Sequence, residues 1–166
     1  MDIKSIYKFN VKKLNGEDIS LSDYADKVLL IVNTASQCGF TPQLKELTQL
    51  KDQINSNDFE ILAFPSNDFG GQEPLVGEAI AAFCENVGSN YPVFDKIRVR
   101  GPFAHPLYQF FADKNQNGNV RSVPRWNFHK FLIDRKGIVT DFYYPFTKPT
   151  SSKIRKKVER LLAAAH

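Results

Sequence analysis

The chain is poor in sulfur. It carries two cysteines and one methionine among 166 residues. Two thiols, Cys38 and Cys84, cannot form the disulfide framework of a small secreted protein. A chain of this length builds an ordinary core without such staples. In a reducing compartment the two thiols are either inert core residues or chemically active ones. Long apolar runs are also missing. The best, residues 28–32, falls far short of the roughly 20 residues that a membrane-spanning helix needs. The opening Met1-Asp2-Ile3-Lys4-Ser5 has no apolar stretch and no small-residue cleavage site, so no secretory signal is read there and a cytoplasmic location is expected. His105, His129 and His166 have no ligand spacing with the cysteines, so neither a metal nor another cofactor is expected. Asp113, Asn115, Asn117 and Gly118 imitate the start of a calcium loop, but the twelfth position is Pro124 and the bidentate carboxylate is missing.

Excess charge is small as well. The formal net charge is +4 and the isoelectric point is about 9.0. Part of the excess lies in Lys153, Arg155, Lys156, Lys157 and Arg160, late in a chain-ending helical pattern. Basic residues there suit the helix dipole and a solvated face. No nucleic-acid partner is expected.

What the chain has is aromatic bulk: 14 Phe, six Tyr and one Trp. Tyr7, Phe9 and Val11 alternate with polar residues as in a strand. Asn15-Gly16 is a hairpin turn signal, with Ile19 and Leu21 beyond it. Residues 28–32 read as a strand buried on both faces. Thr41-Pro42 opens a helix, Thr as cap and Pro in the first turn, and Leu44, Leu47, Leu50 and Ile54 recur along it. Residues 59–64 form a second buried strand. Ala79, Ile80, Phe83 and Val87 mark a helix that carries Cys84. Leu107, Phe110 and Phe111 mark another, followed by a polar loop over 115–120. Strands are expected over 128–133 and 138–143, and a final helix opens at Thr150 or Ser151. A strand–helix–strand half with a right-handed parallel crossover and an antiparallel half with a closing helix resemble the thioredoxin arrangement. The expectation is one α/β domain, residues 1–166, with a central mixed sheet flanked by helices and an N-terminal β-hairpin.

Cys38 falls between the buried strand and the helix that follows it. Reactive groups of open α/β sheets sit at that end of the strands, and a helix start favours a thiolate. By position alone, a reactive thiol and a buried structural one both remain open. Position 41 is Thr, which excludes a Cys-x-x-Cys pair. A lone thiol at such a corner can attack a peroxide bond and become a sulfenic acid.

Three segments carry a closer resemblance. Asn33-Thr34-Ala35-Ser36-Gln37-Cys38-Gly39-Phe40-Thr41 is similar to the peroxidatic-cysteine motif of glutathione peroxidases. Phe64-Pro65-Ser66-Asn67-Asp68-Phe69-Gly70-Gly71-Gln72-Glu73-Pro74 resembles their second signature, and Trp126-Asn127-Phe128-His129-Lys130-Phe131-Leu132 their third. Ser66 and Asp68 depart from the commoner Cys and Gln. The resemblance implies a catalytic tetrad of Cys38, Gln72, Trp126 and Asn127, in which three neutral donors stabilise a thiolate and orient the peroxide. Trp126 read alone is a core residue. His129 reads as exposed or packed rather than catalytic. Cys84 stands in a segment that resembles the resolving-cysteine region of the thioredoxin-dependent members. The resemblance therefore implies a peroxidase for hydrogen peroxide and organic or lipid hydroperoxides. It would pass through a Cys38 sulfenic acid and a Cys38–Cys84 disulfide, with thioredoxin as reductant. Glutathione as reductant, or a redox sensor or relay, are the alternatives. Between Ile97 and Asn127 the chain is too short for the assembly loop of tetrameric relatives, so a monomer is expected.

Overall fold

Five consecutive Val, Leu and Ile residues cannot present a polar face, so residues 28–32 must lie between two apolar layers. They do so in a computed structural model that describes residues 3–36, 42–71, 73, 77–86 and 88–164. Its elements are β1 (Asn10–Lys12), β2 (Asp18–Ser20), β3 (Val28–Thr34), α1 (Gln43–Ile54), β4 (Phe59–Pro65), α2 (Glu78–Asn86), α3 (Pro106–Ala112), α4 (Lys114–Asn117), β5 (Lys130–Ile133), β6 (Val139–Tyr143) and α5 (Ser152–Ala163). The main sheet has the order β4-β3-β5-β6, and β1 and β2 form a separate two-stranded sheet. β3 and β4 run parallel, while β5 is antiparallel to both β3 and β6.

The strand period of two divides the core. Leu29, Ile31, Leu62, Phe64, Phe131 and Ile133 face one layer, where Leu107, Phe110 and Phe111 of α3 meet them. Val28, Leu30, Val32, Ile61, Ala63 and Leu132 face the other, covered by Leu44, Leu47 and Leu50 of α1 and by Ile154 and Val158 of α5. The Ser151 side chain accepts from the Lys153 amide and caps α5. The α1 helix ends at Asn55, which adopts φ 49°.

Three expectations change. Tyr7 is not in a strand: Ile6–Lys8 is a 3-10 turn, and the Tyr7 hydroxyl donates to the Arg135 carbonyl at 2.8 Å. Tertiary anchoring overrides the alternation. The polar stretch after α3 is not all loop, because Asp113 accepts from the Asn115 amide and starts the one-turn α4. Asn117 is fully buried, and its amide donates to the carbonyls of Phe110 and Val120. The side chains that imitate a calcium loop thus hold a turn. The third strand signal begins at Lys130 rather than Phe128, because Phe128 has φ 69°. The expected cap, Thr41, lies outside the described residues; Pro42 directly precedes α1.

Candidate active site

The carboxyl ends of β3 and β4 are where an open sheet exposes chemistry. β3 ends at Thr34 and α1 starts at Gln43, and Cys38 falls between them in the chain. Cys38 and Gln72 both lie outside the described residues, but the segments that flank them are described. All three motif segments are joined there, pair by pair.

The first joins the second through Ser36 and Glu73. The Ser36 hydroxyl donates to the Glu73 carboxylate at 2.7 Å. Glu73 is nearly buried. Its amide donates to Asn67 Oδ1 at 3.0 Å, and its carbonyl accepts from Lys96 Nζ at 2.7 Å. The second joins the third through rings: Phe69 and Trp126 lie 5.5 Å apart, centroid to centroid. The third joins the first through Asn33. Its side-chain amide donates to the Trp126 carbonyl at 3.1 Å, and its own carbonyl accepts from the Phe128 amide at 2.6 Å. Trp126 is half-buried and Asn127 is fully buried.

The surroundings are electropositive. The Arg100 guanidinium stands 4.4 Å over the Phe69 ring. With Arg121, Arg125 and Tyr144 it lines a cleft of about 440 Å³. Asp68 lies against this charge: the Arg100 guanidinium donates to its carbonyl at 3.0 Å. Its carboxylate accepts from the Val99 and Arg100 amides at 2.7 and 3.3 Å and pairs with Arg98 at 3.4 Å. Ser66 is buried, and its hydroxyl accepts from the Asp68 amide.

Cys84 lies on α2 as a free thiol, 8% exposed. Burial pushes its pKa up to about 11, and the Glu73 carboxylate adds to the rise. A thiol in that setting stays protonated and weakly nucleophilic. His129 is packed: its Nε2 lies 2.8 Å from the Ser122 hydroxyl, and its ring stacks on Phe142. Burial pushes it down to about 4, with Lys130 and Arg125 adding to the fall. Among the described residues no cluster of His, Cys, Asp or Glu could hold a metal, and no helix is long and apolar enough to cross a membrane.

The Ser36–Glu73 link and the two bonds of Asn33 were not read from the sequence. All three residues lie inside the quoted motifs, but their partners are 37 to 95 positions away, and only the fold reveals such pairs.

This sheet order, with a cysteine-bearing segment between β3 and α1, defines a thioredoxin-fold protein. The comparisons narrow the class. The glutathione peroxidase family profile matches residues 6–112. Glutathione peroxidase homolog BsaA of Halalkalibacterium halodurans is 49% identical over 159 residues, 95% of this chain and 99% of that protein. Phospholipid hydroperoxide glutathione peroxidase 1, chloroplastic, of Arabidopsis thaliana is 43% identical, covering 97% of this chain and 68% of that one. The crystal structure of T. cruzi GPX1 aligns with a TM-score of 0.76 at 33% identity, over 98% of this chain and 99% of that one. The chain belongs to the glutathione peroxidase family. It is a peroxidase, an oxidoreductase that reduces hydroperoxides at the expense of a thiol reductant.

Proposed function

We propose that the chain works as a two-cysteine thiol peroxidase, with Cys38 as peroxidatic and Cys84 as resolving thiol and thioredoxin as reductant. The observation that carries this reading is the pairwise joining of the three motif segments. Ser36, Glu73, Asn33, Phe69 and Trp126 belong to those segments, and their contacts bring the three segments together, which supports a shared site for Cys38, Gln72, Trp126 and Asn127.

Each step balances. The Cys38 thiolate attacks the distal oxygen of ROOH; the O–O bond breaks, and ROH leaves with one proton taken up. Sulfur is oxidised by two electrons to the sulfenic acid. The Gln72 amide, the Trp126 indole N–H and the Asn127 amide donate to the thiolate and to the oxygen that gains charge. Cys84 then displaces water from Cys38–SOH and a disulfide forms. A dithiol returns both sulfurs to thiols and leaves as a disulfide itself. No step requires a metal or prosthetic group.

Buried and held well above neutral pH, Cys84 is unready in the helical form. Gly77 and Gly88 bracket α2 with φ 49° and 75°, conformations that glycine adopts without strain. We infer that α2 opens locally between them to deliver Cys84. The cleft lined by Arg100, Arg121 and Arg125, the last adjacent to Trp126 in the chain, suits substrates with an anionic head, lipid hydroperoxides among them. Residues 1–166 act as one domain, as a monomer in the cytoplasm.

Steady-state peroxide consumption tests the reading, first with a thioredoxin–reductase system and then with glutathione. Turnover with thioredoxin and little with glutathione is expected, together with a Cys38–Cys84 peptide in non-reduced digests after peroxide treatment. Turnover with glutathione alone, and no such peptide, would overturn it.

A further inference from the structure

Among the described residues three besides glycine have positive φ: Asp26, Asn55 and Phe128. Asp and Asn tolerate that region, and a bulky aromatic does not. Phe128 directly follows Asn127, so the strained residue sets the direction in which Trp126 and Asn127 leave β5. Such a conformation persists only where its surroundings over-determine it. Here the Phe128 ring is fully buried in the core layer beneath α1 and α5. Its amide is taken by the Asn33 carbonyl at 2.6 Å. Its carbonyl accepts from Lys130 Nζ, also at 2.6 Å.

Lys130 is itself out of place. It occupies an inner strand, paired with Val32 on one side and Tyr143 on the other, and its exposure is 0%. An apolar residue at that position would fold at far lower cost, since a buried ammonium loses several kcal/mol of hydration. Among the described residues no carboxylate pairs with it. Its Nζ donates, among the described residues, to two carbonyls, that of Phe128 and that of Pro145 at 3.2 Å. The Pro145 carbonyl also accepts from the buried Gln43 side chain at 2.7 Å, and Gln43 is the first residue of α1, the helix that follows Cys38. One ammonium thus links the turn after Asn127 to the helix start after Cys38.

We propose that Lys130 is a positioning residue of the peroxidatic centre. Its ammonium locks the left-handed turn at Phe128, which aims Trp126 and Asn127, and ties that turn through Pro145 to the start of α1. This rests on the reading of Trp126 and Asn127 as donors to Cys38. A donor of this reach is needed because an apolar residue at that position leaves the Phe128 carbonyl without a partner there, and the turn then relaxes toward a strand.

The test uses the full-length reduced protein and hydrogen peroxide. The second-order rate of Cys38 oxidation is measured by single-turnover loss of free thiol in wild type, Lys130→Met, Leu132→Val and Asn127→Ala. Lys130→Met should oxidise slower by on the order of tenfold. It should also shift the emission of Trp126, the sole tryptophan and a built-in reporter on the turn. Leu132→Val lies two residues on in the same apolar layer. It should lose stability but keep the wild-type rate and emission, which separates aiming from general loosening. If Lys130→Met does not fold, Lys130→Gln keeps a neutral donor of shorter reach, and its rate should still fall by about fivefold. Wild-type rate and emission in whichever Lys130 variant folds, alongside a slow Asn127→Ala, overturn the inference. A wild-type rate in Asn127→Ala overturns the reading beneath it, and Lys130 then has nothing to aim.

Discussion

The Trp126–Phe128 turn and the α2 helix are built on opposite principles. The Trp126–Phe128 turn is tied on every side: Asn33 takes one backbone group and donates to another, Lys130 holds a third, and Trp126 packs against both core layers. Among the described residues, the α2 helix that carries Cys84 has fewer ties. Its Ile80 and Cys84 are buried but stand in neither of the two core layers, and among the described residues of α2 only Phe83, half-buried, packs against one. A region with few buried apolar contacts opens at low free energy, and a region tied into the core does not. The difference matches the chemistry. Attack on a peroxide needs donors already in place, because reorganising them adds to the barrier. In the proposed cycle, resolution draws on a thiol that travels, and a loosely tied α2 suits that role.

Breaking the fixed side should have the largest effect. Cys38→Ser should abolish peroxide consumption to background in any coupled assay, since a hydroxyl at neutral pH is no nucleophile toward an O–O bond. Residual turnover near that of wild type would place the chemistry elsewhere. Breaking the mobile side should split the cycle. Cys84→Ser should still consume one equivalent of peroxide and leave a sulfenic acid that a dimedone probe traps. Its thioredoxin-supported turnover should fall by on the order of a hundredfold or more. Full turnover in that variant would make Cys84 structural.

Softer changes sharpen the contrast. Trp126→Phe should slow the first oxidation by removing one donor, by on the order of tenfold to a hundredfold, with a small change in melting temperature. Unaltered single-turnover rates would take Trp126 out of the tetrad. Hydrogen exchange should divide the molecule as packing does. Amides over residues 79–86 should exchange faster after peroxide treatment, while those of β3 and β5 should not change. Disulfide formation without faster exchange in α2 would mean that the helix does not open.

The same contrast decides what could be read in advance. The buried strands were legible because 28–32 and 59–64 can only be core, and the helices followed from their Leu and Ile spacing. The three motifs were legible by resemblance, and their residues stand at the ends of those elements. The turn at Phe128 was not. Nothing in the order Trp-Asn-Phe-His-Lys announces a left-handed aromatic, because the strain is sustained by Asn33, more than 90 positions away. Lys130 read as one residue of a strand. Its burial shows only when β3, β5 and β6 are laid side by side, and propensity carries no such information. Tyr7 was misread for the same reason: its anchor, Arg135, is 128 positions distant.

The smallest expected effect is on stability against pH, and it differs in sign between the two regions. β5 carries a buried base, and His129 just before it is another. Burial pushes Lys130 down to about 7, with Glu46 partly opposing, and His129 down to about 4. For each, the unfolded chain binds a proton more readily than the native one between the lowered and the ordinary value. Stability therefore rises with pH across that interval. For His129 it is lost as pH falls from 6.5 toward 4; for Lys130 it is gained from about 7 toward 10.5. Cys84 acts the other way. Its thiol keeps its proton to about 11 in the native state against 9.0 when free, so the native state loses stability as pH climbs through that window. Between pH 7 and 9 the Lys130 contribution stands apart from those two. Urea unfolding of wild type should show a gain there of at most about 1.4 kcal/mol per pH unit, the limit for one proton, and Lys130→Met should be flat. A parallel rise in both proteins would mean that another group titrates there. A flat wild type would mean that its ammonium survives burial intact because the carbonyls of Phe128 and Pro145 replace its water.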